Sequence, residues 1–447
     1  MRKSATVGAL FVAMSLWGLN LGYPMQYLQH VRWTLFGYII PVYYLLTVVF
    51  IAGASVLVLA GKRNWTKWEM LWWALPLICI PGILHSDDPI WSARQWLSWM
   101  VRGLIPGGIL FAAASSCRKQ SFAMLLWLVY PIILAASLLG LVELYCGHSP
   151  LYADAVTPIV QTAQPGNPFY RPIDPFVNNS LVLSQRPRGT QGNRIPYAAM
   201  ILPFLPLAIW ALKYKRRFSW AHALAVGILF SILLLAQVRA VWFGIVAVMV
   251  LMPAMGLQRD SREGARIAAG TLLCLFVILF WPKSHASIEL WGRLQSFKLT
   301  ENSIHARLEA LQTAGVLRDR WFLGVGFGRF PTACMPYYHG AHPWEGTPDN
   351  QYLRWAIENG VPSFILMLVF FAGLIRAGWE KIRLMKDNIE AEFYKSLLVG
   401  WLGIAATFLF FDGFYWGACN MTFWSFFGLF ATCLNSEPYE VDDRGRD

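Results

Sequence analysis

The sequence predicts an all-α polytopic membrane protein of about twelve transmembrane helices, and three observations carry that prediction. Of 447 residues, 56% are hydrophobic and only 14% charged, more apolar surface than a soluble core of this length conceals. The apolar residues fall in runs of spanning length, about 20 residues for a helix. Alternate connectors between the runs are basic, as cytoplasmic loops are.

The first run, 5–22, follows Met1-Arg2-Lys3 and reads as a span rather than a cleaved signal, because no small-residue cleavage site follows it and similar runs recur. Runs at 33–60, 67–84, 97–116 and 121–143 complete five spans within residues 1–143. An outer loop, 144–194, leads to spans six to nine within 195–282, with runs at 195–212, 219–236, 238–256 and 267–282. A large outer loop, 283–360, then precedes spans ten to twelve within 361–434, with runs at 361–379, 396–412 and 415–434, and a polar tail, 435–447, ends the chain. Parity dictates the split at Gln237-Val238-Arg239. With it, GKRNWTK, CRKQ, KYKRR, QRDSREGAR and the Lys381–Lys395 stretch all share the amino-terminal side. That side is cytoplasmic, so both termini are inside and the two long loops face outward.

Under this topology the outward half is rich in Arg and poor in Lys. Positive-inside bias accounts for the inward Lys but not for the outward Arg. A planar, permanently charged guanidinium matches phosphate oxygens in pairs, whereas an ammonium acts as a point charge. The outer face is therefore suited to phosphate, and the formal charge of +12 agrees. Snorkelling to anionic headgroups is the alternative for any single Arg. The seven cysteines lack metal-ligand spacing; Cys146 and Cys334 both fall in outer stretches, and their pairing is left open.

Candidate site residues come from several stretches. SQRPRGTQGNRIPYAAM brings Arg186, Arg188 and Arg194 up to the start of a span, with Gly189 and Gly192 permitting close backbone approach and Asn193 able to cap the helix. Such a helix start is an anion site. Arg239 stands between two apolar runs at the outer end of a tight helical hairpin, where a charge is retained for a substrate or a partner. ENSIHARLEALQTAGVL has helical periodicity and carries Arg307; the GVGFG after it reads as a turn and is weak as a nucleotide signal, since no parallel strand precedes it. Thr347-Pro348 reads as N-cap and first helical position of a helix over 348–359 stopped by Gly360. That helix presents Asp349 and Asn350 in its first turn, where an Asp otherwise compensates the helix dipole. His339 and His342 lie in irregular chain just before it, and either imidazole could accept a proton near neutral pH. Asp87-Asp88 is the best carboxylate pair for a metal but reads more readily as a turn, so no metal and no cofactor are expected.

Taken in order, GTQGN, VRAVWFG, ARLEAL followed by LGVGFGRF, and NQYLRWAIENG resemble the O-antigen ligase and O-antigen polymerase superfamily of bacterial envelope glycosyltransferases. The resemblance implies a GT-C-like helical fold with a large periplasmic loop between spans nine and ten, in the bacterial inner membrane. It departs at three positions. Asp349 takes the slot of the family's His, Ser363 that of its last Gly, and Ala240 follows Arg239 where Gly is usual. His339, His342 and Asp349 are thus the candidate bases, with His339 favoured if the family His is displaced upstream.

The activity implied is transfer of a glycan from an undecaprenyl diphosphate carrier to a hydroxyl of the lipid A core, metal-independent and inverting. Arg186, Arg188, Arg194, Arg239 and Arg307 would surround the diphosphate. An O-antigen polymerase joining carrier-linked repeat units is the near alternative, and a transporter or flippase for an anionic lipid is the distant one. The partners are the donor, the acceptor and membrane lipids, with no nucleic acid.

Overall fold

The computed structural model describes residues 2–22, 32–35, 38–61, 64–146, 194–214, 219–236, 238–257, 312, 314–315, 317–334, 349–385 and 388–435. Within them the regular secondary structure is helical apart from one two-stranded antiparallel ribbon, β1 (Arg32–Leu35) and β2 (Tyr38–Pro41), in the register Arg32 to Pro41 and Leu35 to Tyr38. The all-helical architecture holds, and only one boundary moves there: the run predicted as a span from 33 opens with the ribbon, and its helix starts only at Val42. Trp33, Thr34, Ile39 and Ile40 are β-branched or aromatic residues that suit a pleated ribbon.

The helices are α1 (Arg2–Gly22), α2 (Val42–Gly61), α3 (Lys67–Ala74), α4 (Ile80–Leu84), α5 (Pro89–Trp99), α6 (Ile105–Ser116), α7 (Arg118–Met124), α8 (Tyr130–Cys146), α9 (Arg194–Ile201), α10 (Phe204–Tyr214), α11 (Ser219–Leu235), α12 (Arg239–Ala254), α13 (Phe330–Cys334), α14 (Gln351–Asn359), α15 (Val361–Leu384), α16 (Asn388–Thr407) and α17 (Gly417–Ala431). Six stretches among the described residues are long and apolar enough to cross a membrane: Ser4–Leu21, Pro89–Ser115, Gln120–Glu143, Arg194–Leu212, Val361–Leu384 and Gly417–Asn435. Thr47–Ala60, Trp220–Leu235 and Arg239–Ala254 are shorter apolar helices. This is the framework of a multi-pass membrane protein, whose outward-facing Val56, Leu59, Val246, Val250, Leu366 and Val369 suit hydrocarbon as their solvent.

Several predicted boundaries move. The run 67–84 is not one helix: Pro76 and Pro81 break it into α3, a tight 3-10 turn over Leu75–Cys79, and α4. The run 396–412 belongs to a helix that begins at Asn388 and ends at Thr407. The split near Arg239 holds, but α12 packs along α16 rather than pairing tightly with α11. Phe243 stacks on Phe410 at 4.6 Å, and Gly244 and Val248 meet Gly403, so the two helices run antiparallel. The run predicted at 267–282 lies outside the described residues.

Aromatic rings fill the core. Trp72 packs against Phe111, Trp424 and Phe427 with centroids 5.4 to 5.7 Å apart. Glycines admit the closest crossing: a Cβ on Gly428 would strike the Gly107 carbonyl, so α6 and α17 meet backbone to backbone. Between α5 and α6 a π turn, Met100–Leu104, interrupts the ladder. Side chains take up the carbonyls around it, Trp72 Nε1 donating to Leu104 at 3.1 Å and Asn420 Nδ2 to Trp99 at 2.9 Å.

Candidate active site

The site is organised by α14, a nine-residue helix between the large predicted loop and α15. Asn350 is its N-cap, the side chain accepting from the backbone N–H of Tyr352 at 3.1 Å and of Leu353 at 3.0 Å. The helix therefore starts three residues later than predicted, and Asp349 lies outside it, so dipole compensation from within the first turn is not its role. Asp349 sits instead at a φ of +41°, a left-handed conformation uncommon for a residue with a side chain.

At its other end α14 leaves carbonyls without partners within the helix. The LGVGFG segment supplies the donors: Val325 N–H bonds Ile357 O at 3.0 Å and Gly326 N–H bonds Glu358 O at 2.9 Å. Gly360, at φ +86°, turns the chain so that Val361 N–H reaches Trp321 O at 2.7 Å. Gly324, Gly326 and Gly328 all have positive φ, and a Cβ on Gly326 would collide with Ser86. The glycine run is thus a clasp on α14 and the 82–95 segment, which explains its resemblance to a nucleotide loop without a nucleotide. Asp87 and Asp88 belong to the same clasp. Asp87 pairs with Arg320 at 3.0 Å, and Asp88 caps α5 by accepting from Trp91 N–H at 3.0 Å.

The inner face of α14 carries a charged cluster that sequence reasoning missed. Arg354 Nε donates to Glu358 Oε1 at 2.9 Å and Arg354 Nη1 to Asp412 Oδ2 at 2.6 Å. The guanidinium lies over the Tyr415 ring, 3.5 Å from its centroid. Tyr415 donates its hydroxyl to Glu358 Oε2, and Phe330 N–H donates to Glu358 Oε1 at 3.2 Å. Burial opposes the charge on Arg354, but Tyr415, Glu358 and Asp412 outweigh it and hold its pKa well above the usual arginine value. Burial likewise pushes the Tyr415 phenol well up, so it stays a donor. The signal for Arg354 and Glu358 was their i, i+4 spacing on a short helix, and for Asp412 an acid at the end of an apolar run.

Ile195, Asp349, Arg354, Phe411, Asp412, Tyr415 and Trp416 line a cavity of about 350 Å³ above this cluster. Three of the predicted residues are described, and all three lie at this end of the helix bundle. Asp349 is in the cavity wall. Arg194 is the first residue of α9, adjacent to Ile195 in that wall. Arg239 is the first residue of α12, at the end where Phe243 stacks on Phe410, two positions before Asp412. His339, His342, Arg186, Arg188 and Arg307 lie outside the described residues, as do Thr347 and Pro348. Cys334 is a buried, free thiol.

In chemical terms the arrangement offers a carboxylate held in a left-handed backbone conformation in a cavity wall, two arginines on adjoining helix starts, and a buried ion cluster that fixes that wall. Residues 224–368 match the family model described as O-Antigen ligase. That stretch runs from α11 through Arg239 and α14 into α15. The curated proteins give no match.

Proposed function

We propose that the chain is an O-antigen ligase, a reading supported by the match of residues 224–368 to the family model described as O-Antigen ligase. It transfers a glycan from an undecaprenyl diphosphate carrier to a hydroxyl of the lipid A core at the periplasmic face of the bacterial inner membrane. Both termini are cytoplasmic, the helical architecture is of the GT-C kind, and the large loop lies between the ninth and tenth of about twelve spans. The observation that carries this reading is the joint position of Asp349, Arg194 and Arg239 at one end of the bundle, although they lie 155 residues apart in the chain at the extremes.

The acceptor hydroxyl oxygen attacks the anomeric carbon of the donor. The bond from that carbon to the diphosphate oxygen breaks, the diphosphate leaves with the electron pair, and the configuration inverts. The acceptor proton passes to a base. Asp349 is the favoured base of the three candidates, because it lines the cavity and occupies the slot that resembles the family's His; His339 and His342 remain the alternatives. Arg194 and Arg239, with Arg186, Arg188 and Arg307, neutralise charge on the leaving diphosphate, as fixed guanidinium donors do without reorganising. The proposed reaction uses no metal.

The test is reconstitution of the purified chain with polyprenyl diphosphate-linked glycan and two acceptors, lipid A core and a second carrier-linked glycan. Transfer to the core supports the ligase; chain extension on the carrier assigns a polymerase instead. Lipid movement across a vesicle bilayer without glycan transfer would assign a transporter. Activity lost in chelator and restored by magnesium or manganese would overturn the metal-free mechanism.

A further inference from the structure

The cavity wall carries two carboxylates, Asp349 and Asp412, against one guanidinium, Arg354, and that guanidinium is already engaged by Glu358 and Asp412. The formal charge of the described wall is negative, which disfavours a diphosphate inside it. Asp412 Oδ1 is buried and has no hydrogen-bond partner among the described residues, so a ligand donor there would satisfy an acceptor that the fold leaves open. Trp416, 37% exposed, lines the same cavity and lies beside Phe411 with ring centroids 6.4 Å apart and planes 29° from parallel. The Trp416 backbone is pinned, its N–H bonding Gly413 O at 3.2 Å and its carbonyl accepting from Asn420 N–H at 2.8 Å.

An apolar ring and acceptor-only oxygens lining one cavity match one kind of ligand, an uncharged pyranose. Its axial C–H face lies on the indole while its hydroxyls donate to the carboxylates. A cavity of about 350 Å³ is near the lower end for small-molecule sites, room for one or two sugar rings but not for a polymer.

We propose that Trp416, Phe411 and Asp412 form a pyranose subsite that seats one uncharged ring of a reacting glycan, with Trp416 as its floor and Asp412 as its hydroxyl acceptor. The proposal rests on the glycan-transfer reading above. The same chemistry fits the first sugar of the donor and the terminal sugar of the acceptor, and the two are separable by kinetics.

The experiment uses the full chain in detergent, as wild type, Trp416→Ala and Trp416→Phe. Donor is varied at saturating acceptor, then acceptor at saturating donor. Saturation-transfer NMR is run in parallel on core oligosaccharide freed of lipid and on O-glycan freed of its carrier. Trp416→Ala should raise KM for one substrate about tenfold, with a smaller change in kcat, and Trp416→Phe should recover most of it. The substrate whose KM moves owns the ring, and its C–H protons should lose saturation transfer in Trp416→Ala. If Trp416→Ala does not elute as a monodisperse peak, Trp416→Leu, which keeps apolar bulk without a planar ring, replaces it with the same expected outcome. Unchanged KM for both substrates with unchanged saturation transfer would make Trp416 a membrane-interface anchor and overturn the subsite, while continued transfer leaves the ligase reading intact. Absence of transfer by the wild type counts against that reading instead, and the NMR arm then decides the subsite by itself.

Discussion

Arg354 Nη1 donates to Asp412 Oδ2 at 2.6 Å across 58 positions of sequence, tying α14 to the turn between α16 and α17. The pair is buried, with Arg354 6% and Asp412 7% exposed, so its value lies less in net stability than in the cost of breaking it. It fixes one wall of the cavity that Asp349 and Trp416 share.

Removing the cation should leave Glu358 and Asp412 as uncompensated buried carboxylates. We expect Arg354→Leu to cost about 3–5 kcal/mol, read as a lower Tm and reduced monodisperse yield in detergent. Exposed Arg376, which pairs with Glu380 on the surface of α15, is the control, and Arg376→Leu should shift Tm little. Equal shifts for the two variants would refute the role assigned to the buried cluster.

Asp349→Asn keeps the size of the side chain and removes its basicity. Transfer in the reconstituted assay should fall by about 10²–10⁴-fold, with Tm unchanged. His339→Ala and His342→Ala should retain most activity. The reverse pattern, with Asp349→Asn active and either His variant dead, would return the base to the upstream segment.

Gly360 has φ +86°, and a Cβ there would meet the Phe322 carbonyl. Gly360→Ala should cost about 1–3 kcal/mol from backbone conformation alone, and more because the obstacle is main chain. Proteolysis at the 321–330 clasp, measured over time, should become faster; a wild-type rate would show that the reversal at Gly360 tolerates a side chain.

Alkaline pH should destabilise the α14 region. Burial, with Glu358 adding to it and Arg354 opposing, pushes the Cys334 thiol from 9.0 up to about 12, and burial pushes the Tyr415 phenol well above 10.0. Both groups bind protons more tightly folded than unfolded. Their contribution is therefore intact below about pH 9 and is lost as pH rises from there toward 12. Tyr415→Phe should flatten part of that slope in thermal unfolding. The protonated, buried Cys334 should also resist alkylation at pH 8.5 in the native chain yet react in denaturant, as mass spectrometry of the peptide would report.

The hydropathy of the runs sufficed to foretell a multi-pass helical chain, because lipid demands long uninterrupted apolar helices and leaves that demand written in local composition. The break before Arg239 and the stop at Gly360 were legible for the same reason, each being a local property of a charge or a glycine. The ribbon at 32–41 was not, since β-branched apolar residues suit a span and a strand alike. Nor was the start of α14: Thr347-Pro348 and Asn350 are both good caps, and only the contact of Gln351 with Phe408 O and Phe414 N–H selects the second. The candidate site divides along the same line. Sequence named Asp349, Arg194 and Arg239 by chemical type and by their place at helix starts. That Arg354 meets Asp412, that Tyr415 underlies the Arg354 guanidinium, and that Trp416 and Asp349 share one cavity depended on packing between helices remote in the chain. Such contacts arise from shape and burial across the bundle, which no local pattern encodes.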